Sequence, residues 1–131
     1  IKGNVEFGKN IKILRIVHLS TFPNQTLTIE DNVKILWGDI IKGNIVIGEN
    51  STIESSVNMT GSDEFPLRIG KNVLIKGSSY LFGSVVGDNA TIEQRVLITK
   101  KIKAEKDATG KIKPVRFYIP ETEGKDLLSD I

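Results

Sequence analysis

The sequence predicts an all-β chain wound as a left-handed parallel β-helix of hexapeptide repeats, closed by a C-terminal β-hairpin cap. Three observations predict it. Large apolar residues recur every sixth position, a smaller inward position follows each by four residues, and asparagine recurs at the fourth place of the repeat. A period of six does not follow the three- and four-residue steps of an amphipathic helix. It suits a short strand followed by a corner, repeated.

The main apolar series runs Ile1, Phe7, Ile13; then Ile29, Ile35, Ile41, Ile47, Ile53, Met59; then Ile69, Ile75, Leu81; then Val86, Ile92, Ile98. The second series is Val5, Ile11, Val17, Val33, Ile45, Ser51, Val57, Val73, Ser79, Ala90 and Val96. Corners are expected at Asn4, Asn10, Asn32, Asn44, Asn50, Asn72 and Asn89, because asparagine tolerates the left-handed backbone region better than any residue but glycine. Three hexapeptides make one turn of roughly 18 residues, and turns stack about 4.8 Å apart. Each turn then satisfies its neighbour's backbone and buries its neighbour's apolar face.

The helix is expected to occupy residues 1–99. Two stretches break the period and read as loops thrown from a corner: residues 20–28, with Pro23 and Asn24, and residues 61–66 (GSDEFP). A one-residue contraction separates Leu81 from Val86. Residues 100–131 form the cap and a short tail. Lys100–Ala104 and Lys111–Ile119 alternate apolar with charged around DATG, which reads as a hairpin.

Composition sets outer bounds. A chain of 131 residues with 39% hydrophobic and 26% charged content fits one globular domain. No apolar run approaches the roughly 18–20 residues of a membrane span, and no charged-then-apolar leader opens the chain. With no cysteine, thiolate metal sites, disulfides and a cysteine nucleophile are excluded, which accords with a cytoplasmic location. Net charge is +2 overall, but residues 100–116 carry seven basic and two acidic side chains. That basic segment reads first as a solvated hairpin. It lacks the interleaved aromatics of a nucleic-acid platform, so nucleic acid is not the expected partner.

The repeat, together with Ile35–Asn44 (ILWGDIIKGN), Ile45–Thr60 (IVIGENSTIESSVNMT) and Pro66–Ile92 (PLRIGKNVLIKGSSYLFGSVVGDNATI), resembles the left-handed β-helix superfamily of acyltransferases and γ-class carbonic anhydrases. The γ-class branch is the nearer likeness, covering about residues 29–98. The resemblance implies a homotrimer with a zinc-like ion held between subunits by three histidines. Those ligand positions fall on Thr60, Gly77 and Phe82, none a histidine, while the chain's single histidine, His18, lies outside the matched region. The family's arginine and aspartate pair corresponds to Trp37 and Asp39, and a glutamine near the metal-bound water corresponds to Glu54. A catalytic zinc needs about three protein ligands and an open position, so the expectation is no metal, no cofactor, no catalytic residue and no carbonic anhydrase activity.

The expected function is therefore a metal-free, γ-carbonic-anhydrase-like protein with a non-catalytic binding or structural role, as a homotrimer whose small-molecule or protein partner is unknown. Any ligand groove would lie between subunits around Trp37, Asp39, Glu54, Thr60 and Phe82. Two other readings stand beside it. One is an atypical coenzyme A-dependent acyltransferase, although His18 is the only histidine base on offer and Glu54 the only substitute considered. The other is a subunit of a larger assembly held through the basic hairpin.

Overall fold

The computed structural model describes residues 1–98; the expected hairpin cap and tail lie outside them. Within those residues the chain is all-β, a parallel β-helix of about four turns. Its fifteen short strands form three five-stranded parallel sheets. The first holds β1 (Val5–Phe7), β4 (Leu27–Ile29), β7 (Ile45–Ile47), β10 (Leu67–Ile69) and β13 (Val85–Val86). The second holds β2 (Lys12–Ile13), β5 (Lys34–Ile35), β8 (Thr52–Ile53), β11 (Leu74–Ile75) and β14 (Thr91–Ile92). The third holds β3 (His18–Ser20), β6 (Ile40–Gly43), β9 (Asn58–Gly61), β12 (Tyr80–Phe82) and β15 (Leu97–Ile98). No helix among the described residues is long and apolar enough to cross a membrane.

Register turns the sequence period into columns. Phe7, Ile29, Ile47, Ile69 and Val86 pair in series down the first sheet. Ile13, Ile35, Ile53, Ile75 and Ile92 do so down the second. Leu19, Ile41, Met59, Leu81 and Ile98 do so down the third. From the second turn onward these residues are almost wholly buried and form one continuous core. Leu27 and Leu67 are also fully buried. The hexapeptide count passes over both because each follows directly on a loop.

The first turn departs from expectation. Ile1, Phe7 and Ile13 occupy the expected columns yet are 80%, 44% and 37% exposed. A column residue needs a neighbour on both sides, and these have a turn on one side only.

The corners follow a simple rule. Before every described strand except β4 and β10, which follow the two long loops, the residue two places earlier takes a left-handed backbone. Before the second sheet it is Asn10, Asn32, Asn50, Asn72 and Asn89. Before the third it is Ile16, Gly38, Ser56, Ser78 and Arg95, and before the first it is Gly3, Gly43 and Gly83. Asn4 and Asn44, expected as bends, are not: the glycine preceding each takes the positive φ. Gly43 (φ 106°) also lies where a Cβ would strike the Gly61 carbonyl, so only glycine meets both demands.

Two consequences are testable by denaturant unfolding. Ile53→Ala, at a fully buried site, should cost about 2–5 kcal/mol through the cavity it leaves. An unchanged midpoint would contradict the column assignment. Ile16, a β-branched residue at φ 62° and 71% exposed, gains nothing from burial to offset its strain. Ile16→Gly should therefore raise stability by about 1 kcal/mol.

Candidate functional site

The five residues expected to form a groove divide among three places. Trp37 sits on the corner between the second and third sheets, its side chain half-exposed at 49%. Its carbonyl accepts from the Ser56 amide at 2.8 Å, which ties the corner to the next turn. Glu54 lies at the same corner one turn on, where its Oε1 accepts from the Gly77 amide at 3.1 Å. Thr60 and Phe82 are direct partners across β9 and β12, half-buried on the far margin of the third sheet. Thus Glu54 meets Gly77 and Thr60 meets Phe82, at opposite edges of one face.

Asp39 is not on that surface within the protomer. It is the residue before β6, a place held in the following turns by Val57, Ser79 and Val96, and it is fully buried. Its Oδ1 accepts from the Val57 amide at 2.8 Å, while among the described residues no group bonds Oδ2. Desolvation pushes its pKa up to about 7, against a smaller lowering by the Val57 and Leu36 amides. His18 is exposed, on the outward side of β3. Among the described residues no three His, Cys, Asp or Glu side chains are grouped so as to hold a metal ion.

The most developed polar cluster lies at the remaining corner, between the third and first sheets, and contains none of the expected site residues. Val5 pairs with Leu27, Leu27 with Ile45 and Ile45 with Leu67, so successive turns advance 22, 18 and 22 residues. The two longer turns carry their extra residues at this same corner, above and below the tight bend at Gly43. Asp63 Oδ1 accepts from Gln25 Nε2 and from Asn44 Nδ2, both at 3.2 Å, joining both loops to the bend. Asn44 Oδ1 in turn accepts from Arg68 Nη2 at 2.9 Å, and Arg68 Nη1 donates to the Leu67 carbonyl at 3.1 Å. Burial lowers the Arg68 pKa from its usual value. Lys42 Nζ stands 4.6 Å from the centre of the Phe22 ring, fixing the outer loop against the third sheet.

Sequence reasoning found both loops but not their meeting. The signal was present: the insertions lie one long and one short turn apart, which puts them at one corner. Which side chains bridge them depends on loop conformation, which periodicity does not encode.

A shallow concavity of about 330 Å³ lies on the first sheet beside its other corner, lined by Glu6, Phe7, Glu30, Asp31, Glu49 and Lys71 among others. Lys71 pairs with Glu49 at 3.3 Å, with both side chains exposed, a geometry of little energetic weight.

Asp63→Ala should lower stability by about 1–2 kcal/mol, since Gln25, only 8% exposed, loses its acceptor. Hydrogen exchange should quicken in both loops together. Quickening confined to residues 62–66 would show that the loops are not coupled through this carboxylate.

Set against known proteins, the chain matches no family model, and neither the curated proteins nor the solved structures give a match.

Proposed function

We propose that the chain is a metal-free, γ-carbonic-anhydrase-like hexapeptide-repeat protein of the left-handed type, acting as a homotrimer in a non-catalytic binding or structural role in the cytoplasm. The observation that carries this reading is the outer surface of the third sheet. Ile40, Asn58, Tyr80 and Leu97 stand in one outward column, and Ile40, Tyr80 and Leu97 are 42%, 36% and 52% exposed. Trp37, on the corner that leads into β6, extends the same strip. Single apolar residues on a surface are ordinary, but a run of them, including two aromatics, marks a surface meant to be covered.

The non-catalytic part rests on chemistry. Thr60, Gly77 and Phe82 offer no imidazole, thiolate or carboxylate where the family resemblance places its ligands. Glu54 already bonds the neighbouring turn's backbone. Any ligand would bind where one subunit's third sheet meets the next, with Trp37, Thr60 and Phe82 as its walls.

Light scattering on the purified protein should give three times the protomer mass of 14.5 kDa, and the double substitution Ile40→Glu, Tyr80→Glu should bring it to the protomer value with the β-sheet spectrum retained. A wild-type monomer across accessible concentrations would remove the trimer from the proposal. Saturating coenzyme A should leave the unfolding midpoint unmoved. A true ligand at about 100 times its dissociation constant would add roughly 2.7 kcal/mol and would turn the reading toward acyl transfer.

A further inference from the structure

Four buried polar side chains stand at the residue immediately before a strand; Ser84, before β13, bonds the Phe82 carbonyl of its own turn, and the other three form a set. Ser51 precedes β8, Ser79 precedes β12 and Asp39 precedes β6; their exposures are 0%, 1% and 0%. Each reaches the backbone of the following turn. Ser51 Oγ accepts from the Val73 amide at 3.1 Å and donates to the Gly70 carbonyl at 2.9 Å. Ser79 Oγ accepts from the Val96 amide at 3.3 Å and donates to the Glu93 carbonyl at 2.9 Å. In both, the carbonyl belongs to the third residue before the capped amide, so one hydroxyl staples the two sides of a corner.

Asp39 does half of this. Its Oδ1 takes the Val57 amide at 2.8 Å, while Oδ2 is the buried side-chain polar atom left without a partner among the described residues. By the geometry of the two serines, the partner for its second atom is the carbonyl of Glu54, three residues before Val57. A carboxylate cannot donate to a carbonyl; a carboxylic acid can. We infer that Asp39 is held in the fold as a neutral acid whose Oδ2–H bonds the Glu54 carbonyl, and that its ionisation releases the corner carrying Trp37 and Gly38: a proton-dependent clasp inside the helix wall.

The surroundings agree. In the same corner place on the adjacent turns stand Val17 and Val57, and the core around it is aliphatic. The ionisable side chains on neighbouring elements face away: His18 and Lys42 are exposed on the outer side of β3 and β6, and Glu54 is bonded to the Gly77 amide. No charged side chain contributes to Asp39's shift, which comes from burial, opposed by two backbone amides. Because the folded pKa of about 7 lies above the ordinary 3.8, the folded state holds its proton more tightly than the unfolded one. The stabilisation is complete below about pH 3.8 and is lost as pH rises through about 7.

The direct test needs no variant. Carbon-13 NMR of the Asp39 carboxyl in the wild-type protein should show a neutral acid at pH 5, titrating with a midpoint near 7, and Trp37 fluorescence should change with the same midpoint. The folded-to-unfolded ratio should fall on the order of a thousand-fold as pH rises across the window between the two pKa values. Asp39→Asn should abolish that dependence, and Asp39→Ser should abolish it while restoring a staple of the Ser51 kind. An Asp39 carboxyl titrating near 3.8, a Trp37 signal indifferent to its titration, or an Asn variant with the wild-type pH dependence would each overturn the inference. The carboxyl titration decides the protonation state even if a variant fails to fold.

Discussion

Everything in this fold depends on parallel stacking in register. A strand in one turn has the strand of the next turn as its partner, and the residue in a column rests on the residue one turn away. Ile35 on Ile53 on Ile75 is therefore at once a hydrogen-bond register and a packing contact. Shifting one turn by a single residue would send its inward side chains to solvent and its outward ones into the core. Extra residues can enter only where they leave the register untouched. This is why both insertions leave at a corner and the chain resumes in phase at Leu27 and again at Leu67.

The same constraint sets the chemistry of the corners. Three bends per turn must repeat at fixed places, and wherever no loop intervenes each takes one left-handed residue, supplied differently at each column. Asparagine does it before the second sheet and glycine before the first. Before the third sheet a mixed set that includes Ile16 and Arg95 serves. A β-branched residue in that conformation is held there by the stacking of its neighbours rather than by its own preference. Backbone groups that the ladder leaves at corners are taken up by side chains of the adjoining turn: Asp31 for the Lys9 amide, Asp88 for the Lys71 amide and Glu54 for the Gly77 amide.

This explains what could be read from the sequence. The inward columns were legible because stacking forces the same kind of residue into the same place turn after turn. Ile29, Ile47 and Ile69 announce their position by spacing alone. Leu27 and Leu67 escaped because a loop hides their phase, and Asp39 escaped because an ionisable residue breaks the apolar rule of its place. The exposure of Phe7 and Ile13 follows from where the stack stops, which a repeat count does not see. The bends at Ile16, Ser56, Ser78 and Arg95 carry no common residue type to betray them. For the candidate site the sequence located residues on the third sheet and its corner but could not bring them together, because outward positions stack without repeating a residue type. Trp37 with Glu54, and Thr60 with Phe82, turn out to flank the face rather than converge upon it.

That freedom of the outer surface shapes how such a protein acquires function. An inward residue is judged by two neighbours and an aliphatic core, so a polar side chain there must find a backbone partner, across the turns at Ser51 and Ser79 and within its own turn at Ser84. An outward residue is judged by whatever covers it. Among the described residues Ile40, Tyr80 and Leu97 of that strip stay exposed, and it is this strip that the proposed trimer would cover. Asp39 lies one layer behind it, in the wall between that strip and the core. A change in its charge would be felt at the corner carrying Trp37 before it was felt anywhere else in the stack, because the ladder on either side is held by bonds that do not titrate.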